Sequence, residues 1–226
     1  MKDFEYLINI ENLHKRFERN GLAVHLFNGL NFSLNEKDFI VIVGEGGTGK
    51  TTLVNIITGL EKPSEGIVSV IGQDLSKIGD RKITRLRLEK MGLVLQTSTL
   101  ISDLTVYENI QLPMLLKKIP FSEQKSRVKE LLEFFGISKK SKFLPNEISA
   151  GERKKTEIAR ALILDPPILI LDEPVSNLDS PTINTFIPFL KGLKHLRDRT
   201  VLLTTNNLKI AKMANKEIFL ETPKIK

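Results

Sequence analysis

Residues 44–52 read "GEGGTGKTT", and they hold the densest chemistry in the chain: Gly44, Glu45, Gly46, Gly47, Thr48, Gly49, Lys50, Thr51 and Thr52. A glycine, four residues, then Gly-Lys-Thr is the spacing of a loop that cradles phosphate. The glycines let the backbone curl so that successive N–H groups point inward, and a helix start behind them already favours anions. Lys50 can bring a point charge to β- and γ-phosphates, and the Thr51 hydroxyl can hold the Mg²⁺ that bridges them. Such a loop needs an acid at the end of a buried strand. The run "PILILDE" (167–173) supplies it, with Asp172 for Mg²⁺ and Glu173 to polarise a water in line with the γ-phosphate. Two acids alone could merely cap the segment that Pro174 starts. Beside a phosphate loop they read as the other half of a nucleotide site.

Strands and helices must position these groups. Three nearly continuous apolar runs, "FIVIVG" (39–44), "PILILDE" and "TVLLTT" (200–205), predict strands of a parallel sheet covered on both faces. After Lys50, Leu53, Ile56, Ile57 and Leu60 recur at helical spacing. Ser122 is placed to cap a helix carrying Val128, Leu131, Leu132 and Phe135, and Gly136 to end it. Alternating strands and helices predict an α/β fold. The stretch from about 97 to 164 reads as helical, an insertion into a body formed by about 1–96 and 165–226 within a single domain. Pro188, inside the helical run 181–196, predicts a kink or a shorter helix.

The bulk properties set bounds. With 226 residues and no cysteine, the chain can bury one substantial core and can hold neither disulfides nor cysteine-ligated metals. No apolar run approaches the roughly 18–20 residues that cross a bilayer. The N-terminal "MKDFEYLINIENLHKRF" has scattered charges in place of a signal peptide's apolar region. These features lead to an expectation of a cytoplasmic protein. The net charge of +7 and pI near 9.5 would suit anionic ligands. The basic clusters, such as Arg153-Lys154-Lys155, are short and free of interleaved aromatics, so they read as a lysine-rich surface. A guanine-reading Asn-Lys-x-Asp motif is missing; the nearest string, "NEKD" (35–38), is out of register and precedes the phosphate loop.

The block "ISAGERKKTEIARALILDPPILILDEPVSNLDS" (148–180) resembles the signature, acidic strand and aspartate loop of ATP-binding-cassette (ABC) ATPases. Phe17, Gln96 and Asn206 fall in the same order as that family's remaining markers. The resemblance implies a P-loop NTPase with a mostly parallel core sheet, an antiparallel β edge and a helical subdomain. It implies two copies sandwiching two MgATP molecules, as a homodimer or with another ATPase subunit. Each site would join Phe17 (on adenine), Gly44–Thr52, Gln96, Asp172, Glu173 and Asn206 of one chain to Ser149, Gly151 and Glu152 of the other. Mg²⁺ would rest on Thr51, Gln96 and Asp172, and Asp179 would link the two sites. The partner would be an integral membrane permease, placing the chain on the cytoplasmic face of the membrane, with no nucleic acid involved. "GQDLSKIGDRKITRLRLEKMGLVLQ" and "LTVYENIQLPMLL" most resemble the lipoprotein-release and macrolide-export subfamily, with cell-division ATPases as near relatives.

Four positions depart from the family pattern, one of them Phe17, which replaces a frequent tyrosine and keeps a π face for adenine. Ala150 replaces the first signature glycine and Glu152 a common glutamine, although Ser149-x-x-Glu152 is also a capping box. Asn206 replaces a histidine that holds the γ-phosphate and the attacking water. An amide keeps an N–H donor but is never cationic, so slowed turnover is expected. Asn207 and His195 are alternative bearers of that role.

Overall fold

The computed structural model describes residues 5–19, 22–176, 178–193, 199–222 and 224–225. The chain opens with a long antiparallel pair, β1 (Ile8–Arg19) and β2 (Leu22–Leu34), which runs from Ile8↔Leu34 to Arg19↔Leu22 with register shifts between Ile10 and Leu13, Leu13 and His14, and Lys15 and Arg16. Next come β3 (Phe39–Val43) and α1 (Lys50–Ile57). After them β4 (Glu65–Val70) pairs with β1, and β5 (Gln73–Asp74) with β4. Then come α2 (Asp80–Lys90), β6 (Met91–Val94), α3 (Val106–Leu116), α4 (Phe121–Phe134) and α5 (Ala150–Leu162). The chain continues through β7 (Ile168–Asp172), α6 (Ser180–Leu193), β8 (Thr200–Thr205) and α7 (Leu208–Ala211), and closes with β9 (Lys216–Phe219) and β10 (Lys224–Ile225).

Two five-stranded sheets result. One is antiparallel, β10-β2-β1-β4-β5; the other is parallel throughout, β6-β7-β8-β3-β9. The antiparallel strands thus form a sheet of their own. The parallel strands β3, β7 and β8 are buried at every residue, as near-continuous Val/Ile/Leu runs require. Their period-2 alternation separates two cores. Phe39, Val41, Leu169, Leu171, Val201 and Leu203 face a cluster built with α3, α4, α5 and α6. Ile40, Ile42, Ile168, Ile170 and Leu202 face the other way, onto Leu53, Val54 and Ile57 of α1 and the inner residues of β1, β2 and β4. Side chains so buried contribute about 1.5–3 kcal/mol each. Among the described residues, no helix is long and apolar enough to cross a membrane.

The local expectations fared unevenly. The three predicted strands and the helical stretch between residues 97 and 164 are present. Helix α1 stops at Ile57, so Leu60 lies beyond it and is exposed. Pro120, not Ser122, starts α4: its carbonyl accepts from Glu123 and Gln124 N–H, and Ser122 falls inside the first turn. Gly136, in the left-handed region (φ 65°), does end that helix. Helix α6 runs through Pro188 to Leu193, so the proline does not shorten it there. A further parallel strand, β9, adds to the sheet beside β3.

Candidate active site

Parallel strands bring their C-terminal ends to one edge, and ligands of open α/β sheets bind outside that edge. Gly44 follows β3, Asp172 ends β7, Asn206 follows β8, and Gln96 lies two residues past β6. Sheet order sets β7 and β8 side by side, with Asp172 opposite Thr204.

The 44–52 loop has the geometry its glycines suggested. Gly49 adopts φ 94°, and a Cβ there would lie 2.6 Å from Leu26 Cγ. At Gly44 a Cβ would lie 2.4 Å from Thr48 Oγ1. That hydroxyl is buried and donates to Glu45 O at 2.9 Å, cross-bracing the curl. Gly46 and Gly47 (φ 83°) leave open space around them. Helix α1 then begins at Lys50 with no side-chain cap and no acid in its first turn, which contains Thr51 and Thr52. Its leading amides therefore remain for an anion.

Lys50 and the two acids are held tightly. The buried Lys50 ammonium donates to Gly44 O (2.7 Å) and Glu45 O (2.8 Å) and pairs with Glu173 Oε1 at 2.9 Å. Its three protons thus match three acceptors. Glu173 sits at φ 44°, an unusual conformation for a side chain of this size, which costs about 1–3 kcal/mol and clusters at functional sites. Its N–H donates to both Thr204 O (3.1 Å) and Thr204 Oγ1 (3.0 Å). The same Thr204 hydroxyl donates to Asp172 Oδ1 in a short hydrogen bond. Thr204 therefore holds both acids. Sequence reasoning missed it, although a threonine at the end of a buried run beside an acidic strand was the available signal.

Asp172 is fully buried, and its Oδ2 has no hydrogen-bond partner among the described residues. A lone buried carboxylate oxygen is costly and calls for a cation or water. Nearby, Thr51 Oγ1 donates to Gln96 Oε1 at 3.2 Å, bringing two neutral oxygen ligands together. Oxygen-only donors with one carboxylate suit Mg²⁺, which takes much of its shell from phosphates and water. Among the described residues no cluster of three or more His, Cys, Asp or Glu could hold a metal alone.

The pair at the end of β8 divides its labour. Asn207 caps α7, its Oδ1 accepting from Lys209 N–H at 2.9 Å, while its own N–H donates to Thr205 Oγ1. Asn206 is exposed and makes no side-chain hydrogen bond among the described residues. It follows Thr205, whose carbonyl accepts from Gly44 N–H at 3.3 Å, so it stands beside the phosphate loop. His195 lies outside the described residues.

The remaining candidates lie away from this centre. Ser149 is exposed and caps α5: its Oγ accepts from Glu152 N–H (3.2 Å), and its N–H donates to Glu152 Oε2 (2.8 Å). That amide bond is the main influence holding the Glu152 carboxyl below its ordinary range. Gly151 faces Thr182 at the start of α6. Asp179 accepts from Thr182 N–H at 3.1 Å, and hydrogen bonds from Thr182 lower its carboxyl pKa. Phe17 is 41% exposed, with Lys15 Nζ 4.8 Å over its ring and that lysine tied to Glu61 at 2.8 Å. No hydrogen bond among the described residues joins Phe17, Ser149, Gly151 or Asp179 to the phosphate loop.

Comparison with known proteins identifies the family. The profile of the ABC transporter family matches residues 27–176. An ABC transporter ATP-binding protein of Thermotoga maritima is 34% identical over 90% of this chain and 87% of its own length. The MG065 homolog of Mycoplasma pneumoniae, also named as an ABC transporter ATP-binding protein, is 35% identical over 99% of this chain. The chain spans about half (48%) of that relative. Among solved structures, the ATP-binding cassette MJ0796, a dimer in a post-hydrolysis state with ADP and phosphate, superposes with a TM-score of 0.87. It is 30% identical, over 95% of this chain and 94% of its own. A glycine-rich loop shaped for phosphate, a buried carboxylate oxygen at a strand end and a similar cassette solved with ADP and phosphate converge on one conclusion: the chain belongs to the ABC transporter family, as an ATP-binding and ATP-hydrolysing cassette.

Proposed function

We propose that this chain is the ATPase subunit of an ABC machine in which MgATP closes a dimer and hydrolysis reopens it, driving a separate membrane partner. The observation that carries the site assignment is the buried, unpartnered Asp172 Oδ2 beside the phosphate loop. Asp172, Thr51 and Gln96 would hold Mg²⁺, which when bound neutralises the phosphate oxygens and orients them for displacement. The amides of residues 45–51 receive the phosphates. Lys50 exchanges loop carbonyls and the Glu173 carboxylate for phosphate oxygens, which releases Glu173 to accept a proton from water. Phe17 would stack on adenine.

In this reading Ser149, Gly151 and Glu152 of a second copy close over the γ-phosphate, and Asp179 links the sites. The helical segment from about 97 to 164 passes the movement to the membrane partner. The resemblance of residues 72–96 and 104–116 to lipoprotein-release and efflux ATPases makes those the leading processes. The second reading, an ATP-driven clamp acting on a membrane protein, is favoured by Asn206. With Asn207 committed as a cap, Asn206 is the candidate among the described residues for the task that relatives give to histidine, and an uncharged amide makes turnover slow. The test is steady-state ATP hydrolysis by wild type and Asn206→His. A gain of about ten- to a hundredfold is expected, a substantial part of what one well-aimed donor contributes. No gain, or fast turnover of the wild type alone, would overturn the slow-site reading and leave the cassette assignment intact.

A further inference from the structure

The turn between α3 and α4 presents an apolar tip in a basic setting. Leu115, Leu116 and Phe121 are 48%, 64% and 67% exposed, and the exposed Lys117 and Lys118 lie between them. The turn is built, not slack. Lys118 adopts φ 55°, its N–H donating to Leu115 O at 3.0 Å, and Ile119 N–H donates to Met114 O at 3.1 Å. Beneath it two buried amides lock the helices together: Gln111 donates to Gln124 Oε1 (2.7 Å), and Gln124 donates to Ile119 O (2.6 Å). Satisfied buried amides of this kind fix one conformation. Here that conformation turns two leucines and a phenylalanine outward, where they gain nothing for the fold.

Within residues 112–126 the charged side chains are Lys117, Lys118, Lys125 and a single acid, Glu123, all of them exposed. Apolar side chains ringed by lysines whose stems can lie along a surface match the headgroup boundary of an anionic bilayer.

We infer that the α3–α4 turn is a direct contact for anionic phospholipid at a membrane surface. It lies apart from the phosphate loop, so lipid contact and ATP turnover fail separately. The test is flotation of the purified chain with vesicles of phosphatidylcholine alone, or of phosphatidylcholine and phosphatidylglycerol in equal parts. Binding is expected only to the anionic vesicles. Leu116→Ser with Phe121→Ser weakens it about tenfold or more by removing apolar contact. Lys117→Gln with Lys118→Gln weakens it similarly, at about 1 kcal/mol per lysine near a charged surface. ATP hydrolysis stays unchanged in both pairs, which verifies folding, and the exposed Leu60→Ser leaves vesicle binding intact. Equal binding to both vesicle types, no binding, or equal loss in Leu60→Ser would overturn the inference. So would recruitment only to vesicles carrying a membrane protein, which would make the turn a protein-docking surface.

Discussion

Helices α1 and α5 both begin at residues that the sequence singles out for phosphate, and they begin in opposite ways. Helix α1 starts from a left-handed glycine, with no side-chain cap and no acid in its first turn. Helix α5 starts from Ser149 and a complete capping box, with Glu152 in the first turn. Uncapped amides are costly unless something supplies an acceptor. Helix α1 therefore keeps its free donors for a ligand. In contrast, α5 satisfies its own donors within the single chain and carries a carboxylate in its first turn. One terminus is left open; the other is complete within the single chain, and in the proposed cycle it would have to add or exchange partners when a second copy arrives. In that cycle, binding and closure would fall to two helix ends of like polarity.

The comparison can be broken at several points, the largest first. Glu173→Gln should lower turnover by about 10²–10⁴-fold, the range for a lost general base. It should still bind ATP and accumulate dimer in light-scattering chromatography; a monomer with full activity would show that the open end is not the catalytic one. Gly49→Ala places a Cβ at φ 94° against Leu26, whereas Gly151→Ala meets only Thr182 Cγ2 at 3.1 Å. The first should abolish the rise in melting temperature on adding MgATP, and the second should retain most of it. Equal losses would erase the distinction between the two helices. Ser149→Ala removes a cap contributing about 1 kcal/mol, or about 2–4 °C in Tm for a chain of this size. Its effect on ATP turnover should be larger than that loss explains.

The smallest effect concerns Glu152. Its carboxyl pKa is depressed in the fold, chiefly by the Ser149 amide. The associated stability is present above the ordinary glutamate value, about 4.3, and fades as pH falls through the lower folded value. Wild type should exceed Glu152→Gln slightly in urea midpoint at neutral pH, and the two should converge in acid. Parallel curves at all pH values would mean that the ion contributes nothing to the cap.

Much of this was legible because buried parallel strands need unbroken apolar residues and a phosphate loop needs glycine at fixed places. "FIVIVG", "PILILDE" and "TVLLTT" announced three neighbouring strands, and the acids and loop followed at their ends. The strands β6 and β9 were harder to see. "MGLV" is only four residues long, and edge strand "KEIF" is mostly exposed. The start of α4 was misplaced because Pro120 fixes the first turn before Ser122 can cap it. Pairing between distant strands cannot be read from one sequence, so the meeting of Thr204 with Asp172 stayed hidden. The same limit hid the division between Asn206 and Asn207, which depends on where α7 begins.

Thr204 gives the two acids a common yoke. Its hydroxyl accepts from the Glu173 amide while donating to Asp172, so the oxygen is spent in both directions. Valine would fill the same space, leave Asp172 Oδ1 without its donor and leave the Glu173 amide only the backbone carbonyl; serine would satisfy both and loosen the packing. Drift at this position is therefore confined to a narrow chemical corridor. A chain that strays from it unpairs the Asp172 carboxylate and loosens the backbone of Glu173 in one step.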